Sequence, residues 1–260
     1  MILNLAEGRS KTKIAYSGNY TSKQITVNGA KYTLYTLIGS GTLTVDKSCP
    51  VDIWVCGGGG LGSTVYIGGG GGYFAQKEQQ WLYAGTSYTV TVGGAQGTTT
   101  FAQGDTAIAT AAGSTSQNGA SGGGGGSTGD GNNTTAGTGE GKSTRPFGDA
   151  VNFTNLPCAG GGGVGNIQYS GSTETAWGHG GAGGSNGSNG SNGMRATSSQ
   201  KDCNGGAGGE TGGGRGAHGR WEYMAANGSY YGAGAGGGYA DAAKHRPSGY
   251  QGVVFMRVPA

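Results

Sequence analysis

Proline and charged residues are scarce in this chain of 260 residues. Only five prolines are present, and Asp, Glu, Lys and Arg together make up 11% of the residues, with a formal net charge of +3. The low proline content excludes a collagen triple helix, which needs abundant proline and a glycine at every third position. Because the few cations are scattered, they provide no track for a phosphate backbone, and we expect no nucleic-acid partner.

Long apolar runs are also missing. No stretch of the sequence is long enough to span a bilayer, and the first residues, MILNLAEGRSKTK, contain no apolar core of the kind that a signal peptide needs. We therefore expect that the chain is made in a cytoplasm and does not insert into a membrane.

The residue types that build metal centres are few and dispersed. No CxxC pair or other usual zinc spacing occurs among the cysteines and histidines, which are Cys49, Cys56, Cys158, Cys203, His179, His218 and His245. We expect no metal ion and no cofactor. The cysteines are expected to be free and partly buried thiols, and a disulfide between Cys158 and Cys203 stays open as an alternative.

Catalytic constellations are absent from the sequence as well. Asp and Glu number 13 and are dispersed, and no nucleophile stands beside a base. The stretch AGTGEGKS at 136–143 loosely fits a phosphate-binding loop, but no buried strand precedes it and no helix pattern follows it. The expectation is a protein that is not an enzyme.

Glycine and aromatic residues are what the chain has in quantity. It holds 64 glycines together with 14 Tyr, 5 Phe and 4 Trp. So much glycine is typical of low-complexity chains, but disordered segments are poor in aromatic residues and this chain is not. The composition therefore predicts a folded protein that uses glycine for a structural purpose.

Residues 1–112 and the end of the chain show strand patterns. Val51, Ile53 and Val55 alternate with Asp52, Trp54 and Cys56, and similar alternation predicts strands in KYTLYTLI, GTLTV, SYTVTV and the closing YQGVVFMRV at 250–258. The segment FAQKEQQWLYAG at 74–85 fits a short helix or a strand. Trp54 and Trp81 are expected in the core. The closing strand is expected beside early strands, so the pattern predicts an all-β antiparallel sandwich.

Between these strands lies a glycine-rich insertion at 113–246. Its stretch GSNGSNGSNG places glycine at every third position, the repeat of an extended helix with three residues per turn. Such helices make no internal hydrogen bonds, and a row without Cβ atoms lets neighbouring helices pair through their backbones. We expect a bundle of polyglycine helices. Flexible linkers are the alternative.

The chain resembles the glycine-rich domain common in bacteriophage structural proteins, particularly tail and fibre proteins. The resemblance rests on YTLYTLIGSGTLTV, VDIWVCGGGGLG, GGGGGYFAQ, YTVTVGG and GYQGVVFMRV, and it extends over about residues 31–258. A related arrangement occurs in the anaplastic lymphoma kinase receptor family. The resemblance implies a β-sandwich of jelly-roll (TNF-like) type that carries polyglycine II helices, with loops at the tip that contact a host surface.

Loops between the glycine runs are the expected recognition site. They are rich in Tyr, Ser, Gly and Asn, the composition of adaptable binding loops. The candidate receptor-binding residues are Tyr169, Trp177, His179, Trp221, Tyr223, Tyr230 and Tyr231. The alternative is that these aromatic side chains pack against the bundle or the sheet, and His179 alone fits an ordinary surface loop.

The expected function follows from the resemblance. The chain would be a virion protein of the tail or tail fibre that binds a bacterial surface protein or polysaccharide. Residues 1–30 would attach it to other virion proteins, and residues 31–260 would form the glycine-rich β-sandwich domain, with 113–246 as the insertion and 247–260 as the closing strand. A homo-oligomer such as a trimer is possible. The alternative is a capsid or tail decoration subunit that contacts only other virion proteins.

Overall fold

The computed structural model describes residues 12–61, 69–114, 168–170, 173–176, 227–229, 231–235 and 248–260. These residues form strands and connecting segments, with no helix among them. The strands are β1 (Ile14–Tyr16), β2 (Tyr20–Val27), β3 (Ala30–Leu37), β4 (Gly41–Val45), β5 (Cys49–Cys56), β6 (Phe74–Leu82), β7 (Tyr88–Thr91), β8 (Thr99–Gln103), β9 (Thr106–Ala111), β10 (Gln168–Ser170), β11 (Thr173–Ala176) and β12 (Val253–Pro259).

Two five-stranded antiparallel sheets make up most of the described fold, and β10 and β11 form a separate two-stranded antiparallel sheet. The first sheet has the order β1-β4-β7-β8-β9, and the second has the order β2-β3-β12-β5-β6. The closing strand β12 lies between β3 and β5, as the sequence predicts. The hairpin between β2 and β3 turns at Asn28 and Gly29, whose φ angles of 50° and 80° are those that a two-residue hairpin turn requires. The predicted all-β, sandwich-like fold is thereby confirmed.

The main core lies between the two sheets. Alternation places Val51, Ile53 and Val55 of β5 on its inner face, where they pack with Val254 and Met256 of β12. The first sheet contributes Leu43, Tyr88, Val90 and Phe101 to the same cluster. The predicted division of β5 into two faces is confirmed, because burial follows the two-residue period of a strand.

The outer face of the second sheet carries a smaller apolar cluster. Trp54, Leu34 and Phe255 are buried in it, and Tyr231 packs against it. Trp54 therefore lies in a core, as expected, but on the side of β5 that faces away from the first sheet. Cys56 shares this face, and both it and Cys49 are buried thiols that form no disulfide, as the sequence predicts.

A buried ion pair stands beside this outer cluster. Arg257 of β12 donates to Asp52 of β5 from Nε (2.9 Å) and from the terminal amino group (2.6 Å), and its guanidinium lies 4.7 Å from the Tyr32 ring centroid. The second Asp52 oxygen accepts the backbone N–H of Gln79, where β6 is bulged against β5. One buried carboxylate thus joins three neighbouring strands, because Asp52 of β5 accepts hydrogen bonds from both β12 and β6.

Trp81 departs from the sequence prediction. Its side chain is 51% exposed, whereas Leu82 is buried in the main core. The expectation of a buried Trp81 is wrong: Leu82 takes the inner face, so Trp81 lies on the outer face, where the described residues leave about half of it exposed.

Two segment predictions are refined. The segment at 74–85 contains strand β6 and no helix. The closing strand begins at Val253 rather than Tyr250, since residues 248–252 join the glycine segments described below. The predicted boundary between residues 30 and 31 falls at the start of β3, and β1 and β2 are already hydrogen-bonded into the two sheets.

The sandwich has two different ends. At one end β5 stops and β6 and β12 begin, and the glycines at 57–60 follow directly; we call it the glycine pole. At the other end, Lys13 and Asp46 exchange hydrogen bonds, and the Ala260 N–H donates to the Lys31 carbonyl. The described chain therefore enters and leaves at this second end, which we call the terminal pole.

Candidate recognition surface at the glycine pole

Residues 57–60 form the centre of the glycine pole. All four N–H groups donate to backbone carbonyls of other segments, and the carbonyls of Gly58, Gly59 and Gly60 accept from backbone N–H groups, at 2.7–3.1 Å. The surrounding segments are 69–73, 94–97, 112–114, 232–235 and 248–250. We call these six segments the glycine lattice. Since the described stretches on both sides of the insertion contact residues 57–60, the insertion leaves and rejoins the sandwich at this pole.

Hydrogen bonds in the glycine lattice repeat every three residues. Gly57 and Gly60 both donate to segment 69–73, whereas Gly58 donates to Gly97 and Gly59 to Tyr250. A second such repeat joins Gly69 and Gly72 to segment 232–235. Because successive N–H groups point in three directions, one short segment satisfies its backbone against several neighbours at once.

Side chains have no room at the centre of the glycine lattice. A Cβ added to Gly57, Gly58 or Gly59 would lie far inside van der Waals contact of a backbone carbonyl oxygen in each case. The oxygens belong to Ala112, Gly94 and Ala233, respectively. Glycine is therefore required here for close approach of backbones, which explains why the apolar strand β5 runs directly into four glycines.

A row of aromatic rings leads from the second sheet to the surface of this pole. Phe255 is almost fully buried, Tyr231 lies edge-on to it with ring centroids 6.4 Å apart, and Tyr250 lies edge-on to Tyr231 at 5.9 Å. The Tyr250 ring is 40% exposed. Its backbone N–H donates to Ala233 and its carbonyl accepts from Gly59, so the glycine lattice holds the exposed ring in place.

The predicted receptor-binding residues fall mostly outside the described residues. Trp177, His179, Trp221, Tyr223 and Tyr230 lie there, as do Cys158 and Cys203 and nearly all of the predicted helix bundle. Tyr169 lies in β10, paired with Glu174 of β11. Tyr231 is half-buried between two rings, which gives it a packing role in addition to any contact with a ligand.

Tyr250 is a surface residue that the sequence reasoning did not select. The run YQGVVFMRV was assigned entirely to the last strand, so Tyr250 counted as a strand residue. The sequence did contain a sign that this segment is not a strand: Gly249 and Gly252 stand close to Tyr250, just as a glycine run precedes Tyr73. Both glycines are tightly packed against backbone of the glycine lattice or of β5, which marks the segment as part of the pole.

Charge is distributed unevenly between the two poles. No charged side chain occurs among the described residues of the glycine pole, which are 17–19, 38–40, 57–61, 69–73, 92–98, 112–114, 227–229, 231–235 and 248–252. The terminal pole carries Lys13, Lys31, Asp46, Lys47 and Asp105. The glycine pole thus presents tyrosine, amide and hydroxyl groups, whereas the terminal pole presents charges of both signs.

The outer face of the second sheet is apolar again near the terminal pole. Register pairs Trp81 with Pro50, and Tyr32 with both Pro259 and Ile25. Trp81 and Pro259 are exposed, and the neighbouring Tyr83 is 55% exposed. We call these residues the outer strip. Exposed aromatic residues of this kind are typical of surfaces that dock another protein.

Burial perturbs two tyrosines beside β1 and β2. Tyr16 donates its hydroxyl to the Gly39 carbonyl, and burial raises its pKa from 10.0 to about 12. Burial also raises the pKa of Tyr35, with a smaller contribution from Tyr20. Both phenols are therefore neutral at physiological pH and serve packing and hydrogen bonding rather than proton transfer.

Neither a metal site nor a membrane-spanning helix is found among the described residues. Among them, no group of three or more His, Cys, Asp and Glu residues stands close enough to hold a metal ion. The described residues also include no helix of the length and apolarity that crossing a membrane requires.

The fold and its glycine-lined pole define a class of protein: an all-β chain of two antiparallel sheets in which backbone packing of glycine extends one end. The model of the glycine-rich domain family matches residues 16–259, and the chain belongs to that family. No curated protein and no solved structure matches the chain. The match itself carries no link to bacteriophage proteins or to the anaplastic lymphoma kinase receptors.

Proposed function

We propose that this chain is a non-enzymatic bacteriophage virion protein, in the tail or a tail fibre, that recognises the host cell surface through its glycine pole. One observation carries the proposal. The chain enters and leaves at the terminal pole, whereas the insertion leaves and returns at the opposite pole. A module joined to a particle at its terminal pole would hold the insertion outward, where a host surface is met.

The glycine lattice supports the tip-like role of that pole. Its three-residue hydrogen-bond repeat is the repeat of the polyglycine II helix. We propose that the glycine runs of 113–246 extend the same packing into a bundle of such helices around residues 57–60. Loops between the helices would then carry the candidate residues Trp177, His179, Trp221, Tyr223 and Tyr230, whereas Tyr169 lies in β10 and Tyr231 packs beside the glycine lattice.

Attachment to the particle belongs to the terminal pole in this proposal. The predicted attachment segment, residues 1–30, includes β1, whose first residues meet Asp46 there. Partners would be other virion proteins on that side and a bacterial surface protein or polysaccharide on the other. A trimer about the long axis would direct three glycine poles the same way, and sedimentation of the purified protein measures whether it forms.

A second candidate function is a decoration subunit that contacts only other virion proteins. The outer strip favours it, because exposed Trp81 and Tyr83 provide an anchor for another protein. This function needs no receptor, and its docking surface would be the outer strip at the terminal pole.

Binding of the labelled protein to a panel of bacterial strains, the host included, separates the two candidates. Host recognition predicts saturable binding that a Trp221→Ala, Tyr230→Ala variant loses and a Trp81→Ala variant keeps. Tyr231 is left unchanged because its contact with Phe255 makes it part of the fold. Binding to particles but to no cell would contradict host recognition and support the decoration subunit.

A further inference from the structure

The described surface around Tyr250 is suited to an uncharged ligand. Asn227 and Ser229 are exposed, Tyr250 is 40% exposed, and the segments that carry them contact each other. The Gly228 N–H donates to the Ser248 carbonyl at 2.9 Å, and the Ser248 N–H donates to Asn227 Oδ1 at 2.8 Å. Two stretches distant in sequence thus form one fixed surface of amide, hydroxyl and phenol groups.

The lack of charged side chains among the described residues of the glycine pole favours an uncharged ligand. An anionic polymer is attracted by cations, and an acidic or basic protein surface by opposite charges. None of the described residues at the glycine pole is charged, whereas the terminal pole carries five charged side chains. A neutral polymer rich in hydroxyl groups meets no charged side chain among the described residues of this surface, so burying those residues costs no desolvation of an ion.

Preorganisation makes Tyr250 the anchor of this surface. Both of its backbone hydrogen bonds belong to the glycine lattice, and the half-buried Tyr231 ring supports its side chain from below. A rigid tyrosine offers a flat apolar face and a polar edge at low cost in side-chain entropy. Such a ring can stack on the apolar face of a sugar while neighbouring amides and hydroxyls bind its hydroxyl groups.

We propose that the surface formed by Asn227, Ser229, Ser248 and Tyr250 binds a neutral carbohydrate of the host surface, with Tyr250 stacking on a sugar ring. The inference rests on the proposed recognition of a host surface and names its ligand class. It adds a binding residue, Tyr250, to the candidates in the insertion loops.

Binding to a strain that the labelled protein recognises provides the test. Cells are compared before and after periodate, which cleaves the vicinal diols of sugars, and before and after protease. The proposal expects loss of binding after periodate, no loss after protease, and little change in about 1 M NaCl, where the Debye length is about 3 Å. Tyr250→Ala should weaken binding about tenfold or more, as truncation of an interface anchor does. Tyr250→Phe should retain most of it.

Matched variants keep the outcome interpretable. Trp81→Ala removes an aromatic ring that is more exposed than Tyr250 but lies at the terminal pole, and it should leave cell binding unchanged. Unfolding by urea checks that Tyr250→Ala is folded, which is expected because its backbone hydrogen bonds remain. If Tyr250→Ala unfolds, Tyr250→Phe and the periodate result still decide for or against the proposal.

Each contrary result would contradict either the carbohydrate inference or the proposed function. Loss of binding after protease alone, or equal binding by Tyr250→Ala, would overturn the carbohydrate inference and leave host recognition standing. Binding that vanishes in high salt would assign the contact to charged residues such as Lys244 and Arg246, which lie outside the described residues. Binding to no strain would overturn the proposed function itself, and this inference with it.

Discussion

Replacing Gly58 by alanine tests whether glycine is required at the centre of the lattice. The added Cβ would collide with the Gly94 carbonyl oxygen and would lie 3.0 Å from the Gln96 nitrogen. Overpacking of this kind costs about 1–3 kcal/mol. Moving the segment to relieve it would weaken the Gly58–Gly97 and Ser114–Gly58 hydrogen bonds, each contributing about 1 kcal/mol. The free energy of unfolding should therefore fall by about 3–5 kcal/mol.

Without a packed lattice, the same substitution should act in the opposite direction. Alanine in place of a flexible glycine restricts the unfolded chain and stabilises a protein by about 0.4–1 kcal/mol where the native conformation is compatible. The sign of the change therefore distinguishes a packed segment from a linker.

Gly94→Ala is the matched control. Gly94 lies in the neighbouring segment, its φ is outside the left-handed region, and an added Cβ would meet no atom within 4 Å. Urea unfolding followed by tryptophan fluorescence measures both variants. The wild type and Gly94→Ala should agree within about 1 kcal/mol. If Gly58→Ala is as stable as Gly94→Ala, close backbone packing at residues 57–60 is refuted.

Three further outcomes are expected. Asp52→Ala should cost about 3–5 kcal/mol in urea unfolding, because it leaves the Arg257 charge buried without its partner; a change below about 1 kcal/mol would show that the pair is dispensable. Trp54→Ala should lower the free energy of unfolding by about 3–5 kcal/mol, whereas Trp81→Ala should change it by less than about 0.5 kcal/mol. A similar loss for both variants would contradict their different burial. As the pH rises from about 10 to about 12, Tyr16 ionises first in the unfolded chain, so stability should fall over that range. Tyr16→Phe should make this fall shallower, and urea midpoints at several pH values measure it.

The strands could be predicted because their signal is local. The alternation of Val51, Ile53 and Val55 with Asp52 and Trp54 gave both faces of β5 correctly, since a pleated strand sends successive side chains to opposite sides. Trp54 was expected in the core and is buried, but alternation gave only its face and not the cluster that covers it. The exposure of Trp81 could not be predicted, because Trp54 and Trp81 lie on the same outer face and only the tertiary packing covers one end of that face and not the other.

The candidate site was accessible to sequence reasoning only in part. Tyr231 was selected from the composition of its segment, and in the structure it supports a more exposed ring, Tyr250. That pairing joins segments separated by many residues and depends on hydrogen bonds to Gly59 and Ala233. No pattern within either segment specifies which ring lies outside.

By itself, the sequence determined the β class and the two faces of β5, because these follow from local periodicity, whereas its glycine runs fitted both close packing and flexible linkers. Only the tertiary structure decided the strand order, the burial of the Asp52–Arg257 pair and the two unlike poles. These features arise from pairing between distant segments, such as 57–60 with 248–250. Such pairing is set by the competition of all backbone groups for partners, and a linear pattern does not encode its outcome.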